Sequence, residues 1–399
     1  MPTEQAEVAI LGAGIAGCAL AYHLAERHVG RVLVYDPHTP AAGASGRAAG
    51  IVTEQLWNEW DVEVARETKQ EFADLAARRD PSAYATNGFV RWTRNPRAET
   101  ALYEAEARFH RWNVAVERID AHELTRRVPV GRFEDVRGAL YSAGDGIVTP
   151  STMTEIYASI AQELGADFWL GTPLDTLGHV DGRWGLAVGG REVRARRLVV
   201  AAGAWSKRIL AELGHPVPLS PYRTQAAVLR PNTPSDDLFP SVHDIDQDVY
   251  VRPESNGRIL AGDGTELVEI DPDTFPPGGD ATFVEHIAEC FAERFPGWAD
   301  AEIVRAWAGV CASTPDRRPL IGPVEGRDGL FMIAGFNGFG VMRAGGAARR
   351  LAELLSAGDG STSELEALAP VLPGRFRPPL PTFRPRPGFT LEAGDDPHY

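Results

Sequence analysis

An α/β fold in two domains is what three observations in this sequence predict. The chain has 399 residues, more than one simple core usually organises. Its first residues run strand, helix, strand: "AEVAILGAG" is a short apolar run that turns on glycines, "IAGCALAYHLAERHV" has helical spacing, and "RVLVYD" is a second apolar run ending in an acid. From 222 to 263 the pattern changes. "YRTQAAVLRP", "DVYVRPE" and "GRILAGDG" read as antiparallel strands with proline-rich connections, hence a second, separate sheet.

The elements between follow in order. Residues 60–80, "WDVEVARETKQEFADLAARRD", have the spacing of an amphipathic helix, and "GFVRWTR" at 88–94 reads as a strand leading away from the first unit. "STMTEIYASIAQELG" at 151–165 opens on Ser151, a candidate N-cap. Residues 166–206 read as short strands with glycine turns, ending in "RLVVAAGAWS". "ATFVEHIAECFAERFPG" is a helix closed by proline and glycine, and 328–356 form a glycine-rich strand, turn and helix. The proline density of residues 366–399 predicts an extended surface arm, one that could cross a subunit boundary.

Composition excludes several functions. Apolar content of 44% and charged content of 24% belong to a folded chain, and the formal charge of -15 disfavours nucleic acid and anionic membranes as partners. Lys69 and Lys207 are the only lysines, so arginine carries nearly all the positive charge. Cys18, Cys290 and Cys311 are odd in number and far apart, which indicates neither a disulfide framework nor a zinc site. The N-terminus has no basic region ahead of an apolar one, and no apolar run approaches a membrane span; the expected location is the cytoplasm.

Gly12, Gly14 and Gly17, with Ala13, Ile15 and Ala16 between them, form G-x-G-x-x-G at the junction of the first strand and helix. The glycines permit a tight turn, close approach of a pyrophosphate to backbone amides, and close helix packing. Asp36 follows Gly12 by 24 residues, at the end of the second strand, where a carboxylate can accept from a ribose hydroxyl. This motif alone serves NAD or FAD. Three further small-residue segments, "AAGASGRAAGIV", "VVAAGAWS" and "AGFNGFG", are widely separated, which fits a long, extended cofactor, FAD.

In this order "VAILGAGIAG", "GASGRAAG", "VVAAGAWS", "PYRTQ", "VYVRP", "STPDRRPLIG" and "AGFNGFGVM" resemble the D-amino-acid-oxidase-like flavoproteins, a family that includes glycine oxidase, sarcosine oxidase and dimethylglycine dehydrogenase. The resemblance covers residues 6–355. It implies an FAD-binding Rossmann-like domain from 1–85, 150–220 and 305–356, interleaved with a mixed-sheet substrate domain from 86–149 and 221–304. Carried onto this chain, Gly12 to Gly17 hold the pyrophosphate and Asp36 the adenosine ribose. Ser45, Gly46, Arg47, Ala48 and Ala49 line pyrophosphate and flavin, and Thr172 to Leu174 pass the adenine. Ala202 and Gly203, with Trp205 just beyond, close the nucleotide site. Phe336, Asn337, Gly338, Phe339, Gly340, Val341 and Met342 cover the flavin ring.

The implied chemistry is hydride transfer to flavin from a carbon bearing an amine, which needs positioning and a free nitrogen lone pair more than a protein base. No Ser-His-Asp or Cys-His pattern is readable, and His243 reads as structural. Tyr250 resembles a family tyrosine at the substrate face, Arg252 shares its strand face, and Arg223 reads as a domain-junction residue. Cys311 stands where relatives place an arginine that grips the substrate carboxylate. Three roles stay open for it: a pocket wall, a covalent flavin link (two residues out of register for that), or a reactive thiol. Arg343, Arg252 or Arg47 could replace the missing arginine. Alternatively the substrate lacks a carboxylate and Trp57 and Trp60 form an aromatic wall. Leu260 aligns with the lysine that promotes oxygen reactivity in sarcosine oxidases, so the resemblance favours noncovalent FAD and a dehydrogenase over an oxidase. The expected reaction is oxidation of the CH–NH bond of a small amine or amino acid, with oxygen, a quinone or an electron-transfer protein as acceptor and a homo-oligomer possible. Alternatives are a 2-hydroxy acid dehydrogenase and a non-catalytic flavoprotein subunit; no metal is expected.

Overall fold

In the computed structural model, residues 3–232, 238–263, 268–357 and 361–383 are described. Two eight-stranded sheets organise them. The first is built on Glu4–Leu11, flanked in parallel by Arg191–Val200 and Val32–Asp36. Asp167–Leu170 extends it beyond Val32–Asp36, and Leu330–Ala334 pairs in parallel with Arg191–Val200. A central parallel strand is covered on both faces, which is why "VAIL" is apolar without alternation. Helices Ile15–Glu26, Pro150–Glu163 and Ala344–Ala357 pack on one face through residues such as Leu20, Tyr157 and Leu351.

The second sheet runs in the order Glu302–Ser313, Ser220–Arg230, Arg258–Asp263, Val249–Glu254, Ser241–Asp244, Phe89–Thr93, Gly138–Ser142, Glu117–Arg118. Side chains alternate across it with period two, and the alternation sorts the residues by role. Val90, Trp92, Ala227, Leu229, Val242, Val249, Val251, Ile259 and Ala261 share one face and pack against Phe283, Ile287 and Phe291 of the helix Ala281–Arg294. The opposite face carries Cys311, Tyr222, Tyr250, Arg252, His243 and Arg91, and it looks toward the first sheet's loops. A small third sheet of Ile51–Val52, Gly146–Val148 and Tyr84–Thr86 lies alongside the helix Glu59–Arg79.

Three expectations change. Glu302–Ser313 pairs with Ser220–Arg230 along its length, so it belongs to the second sheet, although the sequence division put residues from 305 with the first. The helix at 150 starts on Pro150 with Thr149 as its N-cap, not Ser151; proline suits the first turn because its missing N–H is unbonded there anyway. The proline-rich arm is not extended where it begins. Thr362–Leu368 is helical because the first proline of this stretch is Pro370, and 3₁₀ turns follow over 369–371 and 373–375. Leu368 and Val371 are buried in the first domain's core, Trp60 donates to the Ala367 carbonyl at 3.1 Å, and Arg375 pairs with Asp316 at 2.7 Å. The remainder of the arm, 384–399, lies outside the described residues. Among the described residues no helix is long and apolar enough to cross a membrane.

Candidate active site

The three motif glycines have different jobs. At Gly12, φ is +116° and an added Cβ would stand 2.5 Å from the Ala201 carbonyl oxygen; at Gly17 it would stand 2.0 Å from the Gly12 oxygen. Both serve protein-on-protein packing. Gly14 caps the helix Ile15–Glu26 with no side-chain hydrogen bond, and a Cβ there would meet only the Ser45 Oγ, at 3.3 Å. The second glycine therefore faces room at a helix N-terminus, where amides point outward and a pyrophosphate fits. Ser45 Oγ accepts from Ile15 N at 2.9 Å, which docks the 45–49 turn on this cradle. Asp36 Oδ2 accepts from Ala13 N at 2.8 Å, and Oδ1 accepts from His38 N at 2.9 Å. The acid expected at the ribose thus also braces the glycine turn.

The segment expected on the adenine side lies at the end of the second strand. Gly171 N donates to the Asp36 carbonyl at 3.1 Å, and the Tyr35 hydroxyl donates to the Thr172 carbonyl at 3.0 Å, which sets 172–174 beside the second strand. Gly203, at φ +52°, follows Ala201, whose amide donates to the Leu11 carbonyl at 2.8 Å. Trp205 lies over Gly43 but spends its indole N–H on Asp273, at 2.7 Å. Glycine room at the helix terminus, with Asp36, Ser45, 172–174 and 202–203 gathered around one end of the sheet, fits an extended dinucleotide such as FAD.

The turn from 336 to 342 is held from behind. Asn337 sits at φ +54°; its amide oxygen accepts from Ser313 Oγ at 2.9 Å and Thr314 N at 3.0 Å, and its amide nitrogen donates to the Arg317 and Gly335 carbonyls. The side chain expected at the flavin is therefore spent on the wall, and the backbone of the turn is what remains to face a ring. Phe339 packs edge-on against Trp57 at 4.6 Å between centroids, while Val341 and Met342 are core residues. Trp60 is core too, so the aromatic wall reduces to Trp57.

Two of the three candidate clamps, Arg343 and Arg252, are engaged by protein partners. Arg343 is fully buried and donates to Asp61 and to the Phe336 and Phe339 carbonyls. Arg252 donates to the Ala49 and Pro253 carbonyls and to Glu254. Arg47 donates to the Ala42 and Gly43 carbonyls. Arg343 and Arg252 are staples between segments, because a buried arginine with five donors is costly unless protein oxygens satisfy it, whereas half-buried Arg47 bonds only through Nη1 and only within its own turn. Arg223 is such a staple as well, on Asp280 and the carbonyls of 276 and 278.

Across the gap, the second sheet offers Tyr250, Cys311 and a residue that sequence reasoning passed over, Tyr222. Cys311 is directly paired with Tyr222 across the two strands. Burial pushes the Cys311 thiol up to about 11, with Tyr222 acting the other way, so it stays protonated at neutral pH. The Tyr222 hydroxyl lies 3.1 Å from where Gly338 would carry a Cβ, so only glycine admits it to the turn. Strand periodicity around Cys311 was the available signal. Tyr250 lies across Gly262, whose added Cβ would be 2.1 Å from the hydroxyl, and burial raises its pKa. Trp307 N–H donates to the Arg47 carbonyl at 3.0 Å, and Asn337 N donates to the Ala312 carbonyl at 3.0 Å, so sheet, 45–49 turn and 336–342 turn close on one another. Leu260 lies on this face, between Arg252 and Val228. His243 is buried there as well, with burial lowering its pKa and Asp248 at 3.2 Å from its Nε2.

A buried polar junction was also missed. Asp145 accepts from Thr53 Oγ1 at 2.6 Å and lies 3.4 Å from Lys69 Nζ, which also pairs with Glu54; burial pushes Asp145 up to about 6. Lys69, one of two lysines, was the signal for it. Among the described residues no cluster of His, Cys, Asp and Glu is placed to hold a metal ion.

Comparison with known proteins agrees with this geometry. The profile of the "DAO: FAD dependent oxidoreductase" family matches residues 7–354. Human mitochondrial dimethylglycine dehydrogenase is 25% identical over 391 residues, covering 89% of this chain but 43% of that protein, so the chain spans under half the length of that relative. Glycine oxidase of Geobacillus kaustophilus (strain HTA426) is 26% identical over 353 residues, covering 85% of this chain and 90% of that enzyme. The structure of L-proline dehydrogenase from P. horikoshii superposes with a TM-score of 0.83 at 23% identity, over 90% of this chain and 96% of that one, a likeness of fold.

Proposed function

Because the chain belongs to the DAO family of FAD-dependent oxidoreductases, we propose that it binds FAD noncovalently and oxidises the carbon–nitrogen bond of a small amine or amino acid. The observation that carries this reading is the closure of the Tyr250–Tyr222–Cys311 face over the 45–49 and 336–342 turns, beside a glycine cradle with room at a helix terminus. When bound, FAD supplies the two-electron acceptor.

The chain supplies position. The amine lone pair forms the new C=N bond as the C–H bond breaks and its electron pair leaves with hydrogen; the product is an imine, and a proton passes to water. Oxygen, a quinone or an electron-transfer protein then takes the two electrons. No strong base is needed if the bound amine is neutral. Tyr250, kept protonated by burial, offers a hydroxyl and a ring face to the substrate, and Trp57 packed on Phe339 supports the opposite wall. Leu260, an apolar residue on the same face, offers no charge to a developing superoxide, which supports a dehydrogenase reading.

The test is anaerobic mixing of the yellow protein with amines, amino acids and 2-hydroxy acids, following loss of flavin absorbance near about 450 nm. Bleaching by amines or amino acids is expected. Bleaching by hydroxy acids alone, or a folded protein that takes up no FAD, would refute the reading.

A further inference from the structure

Resting on that reading of the site, we infer that Arg47, with Thr224 beside it, holds a carboxylate of the substrate, so that the grip comes from the 45–49 turn of the cofactor domain and not from strand position 311. Arg47 is half-buried, and among the described residues no carboxylate pairs with it. Its Nη1 donates to the Ala42 and Gly43 carbonyls, which uses both hydrogens of that nitrogen. The Nε and Nη2 hydrogens are left. They form the edge of a guanidinium that meets a carboxylate with two parallel bonds. The two bonds within the turn also hold this fork in place, so little side-chain entropy is lost when an anion arrives.

The fork belongs to the substrate sheet by position. Trp307 N–H ties the Arg47 carbonyl to the edge strand at 3.0 Å. The arginine stem crosses Gly309, where an added Cβ would stand 3.3 Å from Arg47 Cβ and 3.6 Å from its Cδ. Gly309 pairs with Thr224, and both lie on the face that carries Cys311, Tyr222 and Tyr250. Side-chain positions across such a pair are about 5 Å apart, close enough for one carboxylate to meet both residues. Thr224 is half-buried, and among the described residues its hydroxyl has no protein partner. With no side chain at 309, the space between them stays open.

The cofactor's pyrophosphate has its own cradle. Ser45 is the residue of this turn that meets it, accepting from Ile15 N at 2.9 Å, whereas Arg47 is carried from there onto Gly309. Gly309 lies two residues from Cys311, about 7 Å along the strand, so the carboxylate sits toward Trp307 and a neutral side chain at 311 is no handicap. Tyr250 lies over Gly262, which pairs with Ala226, one pair along from Thr224, and it serves the rest of the substrate.

The test uses FAD-loaded protein and two ligands without an α C–H, so that neither can be oxidised: 2-aminoisobutyrate, and tert-butylamine, which has a methyl in place of the carboxylate. Binding is read from perturbation of the flavin spectrum. The acid should bind at least about tenfold tighter than the amine. Arg47→Met should weaken the acid roughly 30-fold and leave the amine within about twofold. Arg47→Lys, which keeps the charge without the fork, should recover part of that loss. Thr224→Val should cost the acid about tenfold and the amine nothing. If Arg47→Met does not fold, the lysine and valine variants carry the same comparison. Tighter binding of the amine, no binding of either ligand, equal losses for both ligands, or unchanged acid binding in the variants overturns the inference. So does an Arg47→Met protein that releases FAD at least about tenfold more readily with its acid-to-amine ratio unchanged, since the arginine would then belong to the cofactor's phosphates. Because neither ligand reacts, this outcome is separate from the bleaching experiment. Acid binding that depends on Arg47, in a protein whose flavin no amine or amino acid bleaches, would sink amine oxidation and leave the clamp standing.

Discussion

Arg343 distinguishes a structural staple from a substrate clamp, and the two roles predict different damage. Its guanidinium and the Asp61 carboxylate are 0% and 1% exposed, and it also donates to two carbonyls of the 336–342 turn. Arg343→Met leaves Asp61 as a buried anion, at a cost of about 3–5 kcal/mol. Two bared carbonyls add about 1 kcal/mol each. Asn58, which still donates to Asp61 at 2.8 Å, returns about 1 kcal/mol. The sum, about 4–6 kcal/mol, is a large part of the roughly 5–15 kcal/mol that holds a domain folded. The loss should appear as a lower urea midpoint by tryptophan fluorescence and as a lower FAD content. Asp61→Leu alone should cost about 3–5 kcal/mol, yet the double variant should recover about 2–3 kcal/mol of the summed loss, because no lone charge stays buried. An Arg343→Met protein with unchanged midpoint and FAD content, but a raised KM confined to carboxylate substrates, would refute the staple and restore the clamp.

Three other outcomes follow from the geometry. Gly14→Val should fold yet stay colourless, since its side chain enters the cradle and not the core, whereas Gly12→Val should fail to fold; absorbance and circular dichroism separate the two. Cys311 should alkylate slowly with iodoacetamide at neutral pH and faster only as pH approaches about 11, by peptide mass spectrometry, and acid denaturation should release FAD into the supernatant; rapid labelling at pH 7 would contradict the half-buried, protonated thiol. Burial would raise Glu71, but His23, Tyr157 and Arg349 outweigh it and hold it near about 2; its stabilisation is therefore present above the ordinary value of about 4.5 and lost as pH falls from there. Burial and Arg349 would lower His23, but Glu26 and Glu71 outweigh them and raise it, so its share is complete below about 6.5 and lost as pH rises through the raised value. Glu71→Gln should flatten the urea midpoint between pH 3 and 8, and an unchanged profile would remove the network from the stability account.

The glycine motif, Asp36 and the flanking small-residue segments could be read directly because each answers to local backbone demands: a positive φ at Gly12, open room at Gly14, a helix packed at Gly17. Period-two alternation in the 222–263 strands likewise placed Tyr250 and Arg252 on one face before any partner was known. What the strands could not reveal was who meets whom. Arg343 finds Asp61 across 282 positions, and Arg252 finds Ala49 across 203. The start of the proline-rich arm folds onto the core because Leu368 and Val371 have an apolar surface to cover, which composition alone does not announce. Tyr222 opposes Cys311 only once two distant strands are in register. An arginine reads the same in sequence whether it grips a substrate or staples two turns. The difference is set by burial and by which oxygens lie within reach, and those are fixed only when the chain closes on itself.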